Sequence, residues 1–120
     1  MTMQDEDVLD IRNKRYQEGE YEKFLWWDAI YNPVRLTKAT RAVKGTAEFA
    51  DLFGEVHFRL KIVINDPMQP GRTFTTLGVG FTFNQFMDDH QWMLATEVSN
   101  MTVKFRVQSI IYTDGTMEAI

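Results

Sequence analysis

The 120-residue chain contains no cysteine. That excludes a disulfide framework and thiolate chemistry. No apolar run is long enough to cross a bilayer. The first ten residues are acidic and polar, unlike a secretory signal. There is no internal repeat, low-complexity tract or linker. No phosphate loop, serine elbow or dinucleotide fingerprint is present. Basic residues are outnumbered, with a net charge of −4 and a pI near 5.1. That balance argues against general nucleic-acid binding. These absences predict one domain over residues 1–120, cytoplasmic, with no cofactor, metal, membrane or nucleic-acid partner.

What the chain does hold is bulk. Hydrophobic residues make up 44% and charged residues 25%, with nine Phe, seven Met, four Tyr and three Trp. That is ordinary for a globular domain and leaves enough aromatic material for a core or a pocket wall. The clearest pattern runs from Trp92 to Tyr112. Read as a hairpin with Ser99-Asn100 at its tip, it pairs Val98 with Met101, Thr96 with Val103, Leu94 with Phe105 and Trp92 with Val107. Those pairs form one nearly apolar face, and Thr102, Lys104, Arg106 and Gln108 fall on the other.

Upstream, Asp5 to Tyr16 has helical spacing with acidic residues at its start, where a helix dipole favours them. Gly19 interrupts it, and Glu20 to Trp27 reads as a second helix. Residues 1–23 carry seven acids and four bases, most of the net negative charge, and read as a solvated face. Asn32-Pro33 breaks any helix. Short strands are expected over Ala29–Leu36 and Arg41–Lys44. Thr46 would then cap a short helix closed by Gly54. Glu55 to Asn65 alternates as a strand, with Val56, Phe58, Leu60, Ile62 and Ile64 on one side. The loop 66–71 follows. Arg72 to Asn84 returns as a strand whose parity changes near Thr75-Thr76, the mark of a bulge. Gly78 and Gly80 leave room for a close neighbour. Gln85 to Gln91 turns the chain, and Asp114-Gly115 turns it into a short last strand. Helices followed by an antiparallel meander define an α+β domain.

This order, with three local patterns, resembles the nuclear transport factor 2-like superfamily, also called SnoaL-like or ketosteroid-isomerase-like. The patterns are Tyr16-Gln17-Glu18-Gly19-Glu20-Tyr21, Val43-Lys44-Gly45-Thr46-Ala47-Glu48-Phe49, and Tyr112-Thr113-Asp114-Gly115-Thr116. The resemblance implies a cone-shaped α+β barrel: a curved antiparallel sheet wrapped around N-terminal helices, with an apolar pocket open at one end. It further implies a homodimer and a cofactor-independent isomerase, dehydratase or cyclase acting on a polyketide, terpenoid or steroid-like molecule. The family also holds plain binding proteins, so the alternative is a non-catalytic ligand-binding or assembly module using the outer sheet face.

Candidate site residues follow. Asp28, beside Trp26 and Trp27, would gain a raised pKa in an apolar mouth and act as acid or base. His57 suits proton transfer near neutral pH, although it shares parity with Arg59 and Lys61. Tyr16 is a third polar candidate for acid–base work. Asn32 stands where the resemblance places a general-base aspartate; an amide is not basic but can orient a carbonyl. Trp26, Trp27, Tyr31, Phe81 and Trp92 would wall the pocket. His90, in Asp88-Asp89-His90, reads as loop because adjacent residues cannot all face one ion. The stretch Gly78 to Phe83 is similar to an aromatic RNA-binding strand but lacks its basic lead. His57, Arg59, Lys61, Lys104 and Arg106 would share a basic outer sheet face.

Overall fold

A computed structural model describes residues 6–32 and 36–119 of the chain. Among the described residues, antiparallel strands predominate: β1 (Glu6–Glu18), β2 (Lys23–Tyr31), β3 (Thr40–Ala50), β4 (Val56–Ile64), β5 (Phe74–Thr82), β6 (Thr102–Tyr112) and β7 (Met117–Ala119). One short helix, α1 (Asp88–Ala95), and one 3-10 turn, Val98–Asn100, stand between β5 and β6. The strand order is β4-β3-β6-β1-β2-β5, with β7 added to β6.

Two open sheets share β1. Its first residues, Glu6 to Val8, pair with β6, and from Leu9 onward it pairs with β2. Between Arg12 and Arg15 the register shifts, and Asn13 takes a positive φ of 56°. Asn tolerates that conformation better than other non-glycine residues. The inner faces of the two sheets meet in an aromatic core. Trp27 on β2 meets Phe49 on β3 edge to face at 5.2 Å, Tyr31 meets Phe105 at 5.2 Å, and Phe58 on β4 meets Phe81 on β5 at 4.6 Å. Such pairs add about 0.5–1.5 kcal/mol each beyond the area they bury.

The α+β cone is therefore corrected. The stretches read as N-terminal helices are strands, and so is the stretch read as a helix opening at Thr46. The reason is visible in the burial. Leu25, Trp27, Ala29 and Tyr31 are buried while the residues between them are not; the same holds for Leu9 and Ile11, and for Val43, Gly45, Ala47 and Phe49. A period of two is a strand period, and the β-branched and aromatic content of β2 favours it. The expected hairpin is half right. Val103, Phe105 and Val107 on β6, and Met101 just before it, are buried, as the alternation required. Its first arm is instead α1 and the 3-10 turn. The strands over Glu55–Asn65 and Arg72–Asn84 are present as β4 and β5, and the Asp114-Gly115 turn leads into β7. The break at Asn32 coincides with the end of β2, while Pro33 lies outside the described residues.

The bulge in β5 lies two residues later than expected. The β2–β5 register shifts between Trp27 and Ala29, opposite Leu77 and Gly78, and Gly78 has φ 72°. Leu77 is turned out to solvent rather than buried.

Candidate functional site

β4 and β5 are the outer edges of the two sheets, and they do not pair with each other among the described residues. Between them lies a cleft of about 420 Å³. Leu60, Ile62 and Ile64 line it from β4, Phe74, Thr76 and Val79 line it from β5, and Leu9, Ala29, Tyr31 and Phe105 also contribute. These are the inward residues that strand alternation puts on the core side of each sheet. Lys61 within β4, and Asn65 and Asp66 just after it, are the polar residues that this side adds to the lining. The cleft has the volume and apolar character of a small-molecule site, at the smaller end of the usual range.

Of the sequence candidates, Tyr31 lines this cleft. Trp27 is sealed into the core, 1% exposed. Phe81 packs on Trp27 and Phe58 and closes the core beside the cleft. Trp26 stacks on Phe24 at 5.3 Å, since both lie on the face of β2 opposite its buried residues. Asn32 is exposed just past β2. Tyr16 is half-exposed; its ring meets Phe83 edge to face at 5.6 Å and its hydroxyl donates to Glu18 at 3.2 Å. Desolvation and that hydrogen bond raise its phenol above the usual range.

Asp28 has the opposite electrostatics to those expected of a general acid. Its carboxylate accepts the Asn13 amide at 2.9 Å and the Gly78 N–H at 3.1 Å, with Arg15 at 3.4 Å. These donors, the Asn13 amide first, hold its pKa below the ordinary carboxylate range despite some burial. The residue ties the bulge of β1 to the bulge of β5, which is a structural task.

His57 and Trp92 do come together. Their rings stack at 4.5 Å and 17°, which fixes the imidazole against α1. His57 Nε2 lies 2.8 Å from Asp51 Oδ2. The other oxygen of Asp51 accepts the backbone N–H groups of Phe53 at 2.9 Å and Glu55 at 3.1 Å. The His57 hydrogen bond leads the interactions that lower the Asp51 pKa. Asp51 is not among the residues that the sequence patterns point to. The available signal was its place before the turn Leu52-Phe53-Gly54, which folds it back onto the second residue of β4.

His90 is not in a solvated loop. It lies in α1, half-buried, with its ring against Phe58, Phe81 and Phe83. Its Nδ1 accepts the Asn84 N–H at 2.9 Å. The expected basic face is neutralised in part: Glu48 on β3 takes Arg59 at 3.0 Å from β4 and Arg106 at 3.2 Å from β6. Burial opposes the charge on Glu48, but the two guanidinium groups outweigh it and its pKa falls.

No family model, no curated protein and no solved structure matches this chain. Among the described residues, no helix is long and apolar enough to cross a membrane.

Proposed function

We propose that this protein binds a small apolar molecule in the cleft between β4 and β5 and holds it without transforming it. One observation carries the reading: the cleft walls are largely aliphatic and aromatic, and its ionisable lining residues are Lys61, within β4, and Asp66, two residues past that strand. An isomerase, dehydratase or cyclase needs an acid or base facing the reacting atoms. Asp28, His57 and Tyr16 are absent from the cleft lining and are engaged by other partners. Lys61 and Asp66 suit a ligand with an apolar body that also carries a polar group.

The test is thermal melting with dodecanoic acid, geraniol and progesterone, alongside the fluorescence of anilinonaphthalene sulfonate. A compound that occupies the cleft raises the melting midpoint by mass action. Thr76→Phe and Ile62→Phe, which fill the cleft from either wall, should each abolish the shift. Leu77→Ser, on the exposed bulge, should keep it. The proposal is overturned if no probe binds, or if binding survives both filling substitutions.

A further inference from the structure

We propose that Asp51, Glu55 and His57 form a binding site for a divalent transition-metal ion, with zinc the best fit. The ligand atoms of the three side chains lie within 4.8 Å of one another. His57 Nε2 is 2.8 Å from Asp51 Oδ2 and 4.0 Å from Glu55 Oε2. Zinc bonds nitrogen and oxygen at about 2.0–2.2 Å in tetrahedral sites, which puts neighbouring ligand atoms roughly 3.3–3.5 Å apart. The Asp51–His57 pair must therefore open by about half an ångström, and Glu55 must close by about as much. Glu55 can do so by side-chain rotation alone, because its side chain is 75% exposed.

Two of the three ligands are already oriented. The Phe53 and Glu55 amides hold one Asp51 oxygen and leave the other facing His57. Trp92 stacks on the imidazole and fixes its plane. Partners that aim the ligands in this way are what separate a metal site from a chance cluster of side chains. Two carboxylates and one imidazole leave a fourth position for water. An imidazole ligand favours zinc, copper and nickel over magnesium and calcium, which prefer all-oxygen sites. The turn Asp51–Glu55 and the first residues of β4 would be joined by the ion, and through Trp92 so would α1. None of the three residues lines the β4–β5 cleft, so this site is independent of the function proposed above.

The experiment uses the full chain without an affinity tag, stripped of metal, titrated with zinc chloride by calorimetry. Expected is one saturable zinc per chain and a higher melting midpoint when it is bound. Glu55→Gln and His57→Gln should each weaken binding at least tenfold, while His90→Gln should match the wild type. Glu55 lies on the surface, so its variant tests the site without a folding penalty. Copper(II) bound at His57 should quench Trp92 fluorescence, and that component should vanish in Trp92→Phe with the stoichiometry unchanged. Equal zinc affinity in wild type and Glu55→Gln would remove Glu55 from the ligand set and overturn the three-ligand site. So would the absence of saturable one-to-one binding.

Discussion

Substituting Gly80 with alanine should damage the β2–β5 pairing out of proportion to the single methyl group it adds. Gly80 sits opposite Trp26 in the register. A Cβ built there would lie 2.1 Å from the Leu25 carbonyl oxygen and 2.6 Å from Trp26 Cε3. Ordinary contact begins at 3.4 Å, so the nearer gap is short by 3.4 − 2.1 = 1.3 Å. The nearest atom is backbone, so relief requires β5 to move away from β2. Overpacking of this kind costs about 1–3 kcal/mol, and a backbone clash belongs at the top of that range. Against it, alanine restricts the unfolded chain and returns about 0.4–1 kcal/mol. The net loss is about 2–3 kcal/mol, or roughly 10 °C in the melting midpoint for a chain of this size. Circular dichroism melts of the ligand-free protein would measure it. A second variant isolates the cause: adding Trp26→Ala to Gly80→Ala removes the ring but not the carbonyl, so most of the loss should persist. A drop under about 2 °C, or full rescue by Trp26→Ala, would refute this account.

Three further outcomes follow from side-chain chemistry. Lys14 on β1 donates its ammonium to the Met93 carbonyl at 2.9 Å, the Leu94 carbonyl at 3.2 Å and the Thr96 carbonyl, capping the C-terminal end of α1 from another element. Lys14→Met should leave those carbonyls without their donor and speed hydrogen exchange across α1 well before global unfolding; unchanged exchange would count against the cap. Burial lowers the Lys14 pKa, so the unfolded chain holds that proton to higher pH than the folded one, and this residue's contribution to stability should rise as pH climbs towards its unfolded value. Tyr112 donates to Glu118 at 2.6 Å, and that bond together with burial pushes its phenol up to about 12. Its stabilising contribution is fully present below the unfolded tyrosine pKa near 10 and is lost as pH rises through about 12; Glu118→Gln should lower the pH at which this last tyrosinate absorbance appears. Asp114, held well below the usual range first by Lys38 at 2.9 Å, works in the other direction. Its contribution is present above the unfolded aspartate pKa and fades as pH falls through the folded value, so Lys38→Met should flatten the acid side of the stability profile.

Alternation was the part of this fold that could be read from residues alone. β4 shows it from Phe58 to Ile64 and β6 from Thr102 to Val107, because one face packs inward and the other is solvated, and Leu60, Ile62, Ile64 and Phe105 among their inward residues line the cleft. β1 and β2 misled because Val8, Ile11 and Tyr16, or Tyr21, Phe24 and Leu25, also satisfy a helical spacing. Only packing decides between the two periods, and Leu9 and Ile11 or Leu25 and Trp27 are the residues that packing selects. The helix α1 was missed for the converse reason. It is short and has little amphipathic pattern; Met93 is its buried anchor, and the basic group at its last turn comes from distant Lys14. Acidic Asp88 and Asp89 in the first turn were its one local signal. The His57–Asp51 contact depends on a turn, and the cleft depends on two edges that do not pair. Neither is encoded in a spacing.

Why the edges stay apart can be traced to one loop. Neighbouring antiparallel strands such as β4 and β5 would ordinarily close into a hairpin. The loop 65–73 between them is instead fastened elsewhere. Met68 is buried, its N–H donates to the Thr40 hydroxyl at 3.1 Å, and the Thr40 N–H donates to the Met68 carbonyl at 2.9 Å. Thr40, at the start of β3, is polar and fully buried, and these bonds satisfy it. With its loop anchored to β3, β4 follows β3 in the first sheet, while β5 follows β2 in the second. Phe58 and Phe81 bring the two edges together near α1. Towards the anchored loop, Ile64 and Phe74 pair within their own sheets and line the cleft rather than pairing with each other. The apolar cleft is thus a consequence of the topology: a hairpin held open at its turn, with aliphatic side chains facing the gap.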